Sequence, residues 1–348
     1  MVFLGSVVSL QLNAAEDLKS TTESNPTTEQ THSAINSKVR LGVPEMLLGM
    51  GAALNSGNYN ISYVYIHDGQ VDSLRLSHLT TDTEQFDMLE HLQGAKRMVI
   101  SHNGSTWFYT GNERLLLSKE EESPVTRWRR QLTRLSRNIS NYKVVVSGLS
   151  RIAGRIAYQV NFIATDDTRN STRLWIDTQY LLPLKIESLN SAKKVTEQLL
   201  AINVNYPAAL TVTDFDPGAG YINKVDLQTQ FSTKQSLDSY DGDWSINWLP
   251  VGFELSLRKM KQSDSNQYEH WIYSDGLSTL SVFLEKNEDV SNNKTSTFVS
   301  GDELIFDIII NDKRVTIVGN IPVPVAQKIA HSVAYKAPVV ANEPSPAE

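Results

Sequence analysis

The chain contains no cysteine. That excludes thiol nucleophiles, disulfide staples and cysteine-based zinc sites together. It has no excess of positive charge either: the formal net charge is −7, whereas a general nucleic-acid binder is usually basic. No apolar run reaches the roughly 20 residues that span a bilayer. Residues 2–12 (Val-Phe-Leu-Gly-Ser-Val-Val-Ser-Leu-Gln-Leu) are apolar and run into Asn13-Ala14-Ala15. That is the length of a signal-peptide core followed by small residues suited to cleavage, although a basic leader is missing. Residues 1–15 are therefore expected to be a signal peptide for export.

Motifs that carry chemistry are also missing. There is no nucleophile elbow, His-Glu-x-x-His, phosphate loop or complete dinucleotide fingerprint. Gly49-Met50-Gly51 begins like the last of these, but it lies in a helical pattern and Leu54 stands where the final glycine belongs. The seven histidines lack metal-ligand spacing. His67 and His102 fall in turn sequences, where a solvated imidazole is the expectation. Asp166-Asp167 is an acidic pair in a polar turn, and neighbouring residues on a strand point to opposite faces. Neither a catalytic residue, a metal site nor a cofactor is expected, so the reading is a binding protein.

What is present is ordinary globular composition, 40% apolar and 20% charged over 348 residues, enough for two cores. Residues 16–42 are rich in Ser, Thr, Glu and Asn and read as disordered. Val43, Met46, Leu47, Met50, Ala53 and Leu54 then mark one helix face, with Pro44 suited to the first turn and Gly57 as a stop. Beyond Gly57 the period becomes two. Ile61, Tyr63 and Tyr65 lead through His67-Asp68-Gly69-Gln70 into 71–78, a hairpin. Further strands are expected over 98–101, 106–109, 142–147, 156–164, 172–177, 183–189 and 197–205. Sequential hairpins imply an antiparallel sheet. The expected fold is mainly antiparallel β with a few helices: a large domain over 43–206 and a small α+β domain over 244–336. Between them, 207–243 reads as an interdomain connection, and 337–348 as a flexible tail.

Two constellations invite a binding role. Arg127, Arg129, Arg130, Arg134 and Arg137 form a dense basic cluster in an acidic chain. Arg127, Arg130, Arg134 and Arg137 share one face if 125–135 is helical, as Val125, Trp128, Leu132 and Leu135 suggest. A row of guanidinium forks suits an anionic partner, and the bland alternative is a solvated helix face. Trp107-Phe108-Tyr109 is a consecutive aromatic run. Met46, Met50, Trp107 and Tyr109 are candidates to line an apolar hollow, against the alternative of ordinary core.

The last third carries the most specific words. Trp248-Leu249-Pro250-Val251-Gly252-Phe253 is followed by His270-Trp271-Ile272-Tyr273-Ser274-Asp275-Gly276-Leu277. Together they resemble the C-terminal domain of the RseB/MucB family. Ser101-His102-Asn103-Gly104 before Trp107-Phe108-Tyr109, Arg151-Ile152-Ala153-Gly154-Arg155, and Leu174–Thr178 leading to Leu182-Pro183-Leu184-Lys185 extend the resemblance back to about residue 43. It implies a large domain like the LolA/LolB lipoprotein carriers, an open half-barrel with a hydrophobic hollow. It also implies a periplasmic, non-enzymatic regulator of sigma-E. The implied partner is the periplasmic segment of a membrane-spanning anti-sigma factor, shielded from site-1 proteolysis. The implied release signals are lipopolysaccharide or lipoprotein acyl chains. No nucleic-acid partner is implied, and a homo-oligomer is compatible with this reading. Trp248, Phe253, Trp271 and Tyr273 are candidates for partner binding in the small domain, where most large aromatics are needed as core. The alternatives are a LolA-type lipid carrier without a regulatory role and an unrecognised hydrolase.

Overall fold

The computed structural model describes residues 41–118, 135–136, 139–223, 232–235, 244–262, 267–286, 295–310 and 313–335. Helix α1 (Val43–Ser56) precedes β1 (Tyr59–His67), β2 (Gln70–Thr80), β3 (Gln85–His91), β4 (Arg97–His102), β5 (Ser105–Thr110) and β6 (Glu113–Ser118). Strands β7 (Tyr142–Ile152), β8 (Arg155–Ala164), β9 (Ser171–Asp177), β10 (Pro183–Leu189) and β11 (Val195–Asn205) follow. A 3-10 turn at Val212–Phe215 leads to β12 (Ile222–Asn223) and β13 (Ser232–Gln235). The rest is β14 (Trp244–Ile246), β15 (Glu254–Gln262), β16 (Gln267–Ser274), β17 (Thr279–Lys286), β18 (Ser296–Ser300), β19 (Glu303–Ile310), β20 (Lys313–Gly319), α2 (Val323–Ser332) and β21 (Val333–Tyr335).

The first twelve strands form one open, curved sheet in the order β12-β6-β5-β4-β3-β2-β1-β11-β10-β9-β8-β7. Among the described pairings only β12 beside β6 is parallel; the rest are antiparallel. The fold is thus mainly antiparallel β with few helices, as the succession of hairpins predicts. A seven-stranded sheet, β13-β15-β16-β17-β20-β19-β18, forms the second domain, and β14 pairs with β21 in a two-stranded sheet. The stretch read as a connection therefore supplies a strand to each large sheet, β12 to the first and β13 to the second. Among the described residues, no helix is long and apolar enough to cross a membrane.

The large core lies where α1 covers the sheet. Met46, Leu47, Met50 and Leu54 of α1 are fully buried against Tyr59, Ile61, Tyr63 and Tyr65 of β1 and against residues of β8 to β11. The tyrosines bury their rings and keep their hydroxyls bonded: Tyr59 donates to the Leu54 carbonyl and Tyr63 to the Pro183 carbonyl, at 3.0 and 2.9 Å. A polar knot ties the end of α1 to the sheet. Buried His78 hydrogen-bonds Asp87 at 2.6 Å through Nδ1, and its Nε2 lies 2.9 Å from the Asn55 carbonyl. The second core packs Val325, Ala326, Ile329 and Ala330 of α2 on Trp271, Leu280, Val282, Phe306 and Ile317.

Burial sets the first expectation. Phe162→Ala in the large core, or Phe306→Ala in the small one, lowers the unfolding free energy by about 3–5 kcal/mol. Ile222→Ala, at a side chain 61% exposed, changes it by less than about 0.5 kcal/mol. Chemical denaturation followed by tryptophan fluorescence measures both.

Candidate functional site

The two sheets meet at a polar turn between β8 and β9. Asp166 shapes that turn: its Oδ1 accepts from the Thr168 backbone N–H at 2.9 Å and from the Thr168 hydroxyl at 2.6 Å. The same carboxylate takes Arg169 Nε at 3.2 Å, which aims the guanidinium out of the large domain. Partial burial alone would raise the Asp166 carboxyl, but the Thr168 and Arg169 hydrogen bonds outweigh it and hold the group below its usual range.

Arg169 ends inside the small domain. Its guanidinium donates to Asp275 Oδ2 at 2.5 Å and to the Val251 carbonyl at 2.5 Å. Both side chains of the Arg169–Asp275 pair are 0% exposed. The guanidinium also lies over the rings of Tyr142 and Phe253, at 5.7 and 5.4 Å from their centroids. Tyr142, at the start of β7, donates its hydroxyl to Asp275 Oδ2 at 2.8 Å. Burial, then the Asp275 charge, pushes the Tyr142 phenol well above its ordinary value, so it stays a donor. The other Asp275 oxygen accepts from the Leu277 and Ser278 backbone at 3.0 and 2.8 Å. The Ser-Asp-Gly turn therefore builds the carboxylate that receives Arg169.

Both glycines of the two specific words sit on this junction. Gly252 has φ +86°, and a Cβ there would fall 1.9 Å from Asn141 Nδ2. Gly276 has φ +104°, and its Cβ would fall 2.7 Å from the Leu135 backbone nitrogen. Glycine is needed at each for its dihedral and for the close approach of the other domain.

A second contact comes from the tip of the β18–β19 hairpin. The Gly301 N–H donates to Asp68 Oδ2 at 2.7 Å, and Asn170 Nδ2 donates to Asp302 Oδ1. Asp302 lies against Glu197 of β11, which also accepts from the Tyr65 hydroxyl at 2.8 Å. Burial, reinforced by Asp302, pushes the Glu197 carboxyl up to about 8. Burial raises Asp302 as well. His67, expected in solvent, is instead buried here. It stacks on Tyr65 at 4.6 Å, and its Cβ faces Gly301. The turn sequence is present, but the hairpin tip of the other domain covers it.

The candidate residues of the sequence fall in four places. Met46 and Met50 are fully buried in the large core. Trp107 and Tyr109 belong to a separate small cluster with Met98 and Ile100, so the structure does not bring the four together. Tyr109 meets Tyr221 edge-on at 4.9 Å, and Arg114 covers Trp107 at 5.0 Å. Phe253, Trp271 and Tyr273 are buried in the small core, whereas Trp248 is only partly buried, with Lys328 over its ring at 3.9 Å. Arg127, Arg130, Arg134 and Arg137 lie outside the described residues. Tyr142, Arg169, Glu197, Asp275 and Asp302 were not singled out from sequence. Each is a polar residue in a turn or at a strand end, and the available signal is its place in or beside the turn words.

The Arg169–Asp275 pair sets the second expectation. Arg169→Ala leaves Asp275 buried and uncompensated, and costs about 3–5 kcal/mol. Changing both to apolar residues, Arg169→Met with Asp275→Leu, costs less than the sum of the two single changes. A double-mutant cycle by urea denaturation reads this coupling.

Comparison with known proteins follows the same two-part division. The family model for the MucB/RseB N-terminal domain matches residues 43–219, and that for the MucB/RseB C-terminal domain matches residues 238–334. The chain is 27% identical over 309 residues to the sigma-E factor regulatory protein RseB of Haemophilus influenzae, covering 87% of this chain and 95% of that one. It is 27% identical over 301 residues to RseB of Escherichia coli K12, covering 84% and 90%. Among solved structures it is similar to MucB in complex with MucA(peri), with TM-score 0.65 and 23% identity over 85% of this chain and all 100% of that one. The Pseudomonas aeruginosa MucA/MucB complex gives TM-score 0.67 and 22% identity, covering 85% and 99%. With one model on each side of the Arg169–Asp275 junction and each of the specific words inside the second, the chain belongs to the MucB/RseB family.

Proposed function

We propose that this protein is a periplasmic, non-enzymatic regulator that binds the periplasmic segment of a membrane-spanning anti-sigma factor. Bound there, it shields the segment from site-1 proteolysis and so restrains a sigma-E-type factor. The observation that carries this reading is the match of both family domains, in order, to relatives named as sigma-E regulators. MucB of the same fold has been seen holding MucA(peri), which supports a protein partner rather than a substrate.

The junction gives the reading a physical form. A clamp built from a buried ion pair fixes two sheets into one surface, and a partner can lie across both. Trp248 is the proposed anchor of the small domain, because of the four candidate aromatics it alone is only partly buried. Release by lipopolysaccharide or a lipoprotein acyl chain belongs to the same proposal. Arg127, Arg130, Arg134 and Arg137 are its proposed head-group contacts, and the separate cluster of Trp107 and Tyr109 with Met98 and Ile100 its proposed acyl site. A ligand releases the partner only if it binds the partner-free state more tightly.

The test is a cleavage assay on the anti-sigma periplasmic segment with its site-1 protease. Saturating protein slows cleavage, and Trp248→Ala weakens binding roughly tenfold or more while the melting temperature is kept. An unchanged cleavage rate overturns the reading. Titrating lipid A or a lipopeptide into the complex displaces the segment. Changing Arg127, Arg130 and Arg134 together to Gln reduces that displacement and its salt sensitivity.

A further inference from the structure

The second contact holds two acids where a clasp would be expected to pair unlike charges. Glu197 comes from β11 of the large domain and Asp302 from the hairpin tip of the small one. Both are buried. Among the described residues, Glu197 Oε1 and Asp302 Oδ2 have no hydrogen-bond partner, and no lysine or arginine pairs with either group. The remaining oxygens are well served. Tyr65 donates to Glu197 Oε2, Asn170 donates to Asp302 Oδ1, and the Asp302 backbone N–H also donates to the Glu197 carboxylate. Ser188 and Asn320 lie beside the Asp302 side chain.

Two ionised carboxylates in this position would each leave an acceptor dry and would repel each other across the interface. A proton taken up by either acid removes the repulsion between them and turns a dry acceptor into a donor. We propose that Glu197 and Asp302 share a single proton across the domain interface, so that the two domains dock more tightly in mild acid and loosen as the pH rises.

Of the titratable groups around the pair, Glu303 shifts in the same direction. On β1 and the turn after it, Tyr65 donates to Glu197, His67 pairs with Asp72 at 3.3 Å, and Asp68 accepts from Gly301. On β19, Glu303 is itself raised, by burial first and then by Asp302, so it adds to the same direction. From β10 and from the segments after β8 and β20 come only the neutral Ser188, Asn170 and Asn320. In the undocked state water solvates each carboxylate and its affinity for protons is ordinary. The docked state therefore binds more protons. Docking is fully supported below the ordinary glutamate value of 4.5 and is lost as pH rises toward about 8. One linked proton gives a change of roughly tenfold per pH unit within that window.

The experiment uses the full mature chain without any partner, so its outcome is separate from that of the anti-sigma reading. Hydrogen exchange of the Gly301 and Asp302 amides is followed from pH 5 to pH 9 and expressed as protection factors. In wild type, protection falls by up to roughly tenfold per pH unit over part of this range. Glu197→Gln keeps the volume and supplies a permanent donor, so its profile is flatter than wild type and protection at pH 8 exceeds wild type. Asp302→Asn does the same from the other side, which keeps the test open if one variant folds poorly. A wild-type profile as flat as that of Glu197→Gln overturns the proposal, as does protection that rises with pH. A third arm adds millimolar calcium, or a chelator, at pH 8. Calcium that restores protection in wild type but not in Glu197→Gln would make the acids a cation bridge and overturn proton sharing.

Discussion

The architecture depends on one buried charge. Arg169 leaves the large domain and ends in the small one, where both it and Asp275 are wholly removed from water. Taking such a pair out of solvent is costly, and the mutual attraction offsets that cost only when every remaining donor and acceptor is met. Here each is. Asp166 orients the guanidinium, the Val251 carbonyl takes a second nitrogen, and two aromatic rings cover its faces. Tyr142 and two backbone amides complete Asp275. A network this closed holds its own groups in one geometry, so it fixes where the two domains meet more than it adds stability. For the proposed binding of a partner across both domains, that fixed meeting point is the property that matters.

The junction also explains why the small domain has such specific sequence words. Leu-Pro-Val-Gly-Phe places a carbonyl and a ring against Arg169, and Gly252 leaves room for Asn141. Ser-Asp-Gly-Leu builds an acceptor for Arg169 and lets Leu135 come within van der Waals reach of Gly276. These words read from sequence as the mark of a binding domain. Their first binding partner is the other half of the same chain. Val251, 77% exposed, is the part of the loop left outside that contact.

Much of the fold was legible because the sheet alternates. Burial along β1 follows strict alternation from Tyr59 to His67, the simplest signature of a strand with one covered face. The stripe of α1 was equally plain, since Met46, Leu47, Met50 and Leu54 recur at helical spacing. Strand β3 was not legible. Its covered positions include Asp87 and His91, and Asp87 is buried only because His78 on β2 pairs with it. A period-two search sees polarity there, whereas the structure satisfies it across strands. The same blindness hid the junction. Tyr142, Arg169, Glu197, Asp275 and Asp302 are the polar residues that composition assigns to solvent, and each is buried by a partner far along the chain. The aromatics drew attention instead, and most of them are core.

The two contacts differ in kind, and that difference has a consequence for how such a molecule can respond. At the first, unlike charges meet: burial alone would lower Arg169, but Asp275 and Asp166 hold it above its usual value. At the second, like groups meet, and burial works against ionising either of them. Interfaces between domains of one chain are commonly polar and mobile by default. Here a charge-paired pivot near Arg169 stands beside an acid pair near the hairpin tip, both reached from the consecutive residues Arg169 and Asn170. Weakening the acid pair while the pivot holds would let the small domain hinge rather than detach. A surface laid across both domains would then change shape without either core unfolding, because each core is closed by its own helix, α1 on one side and α2 on the other.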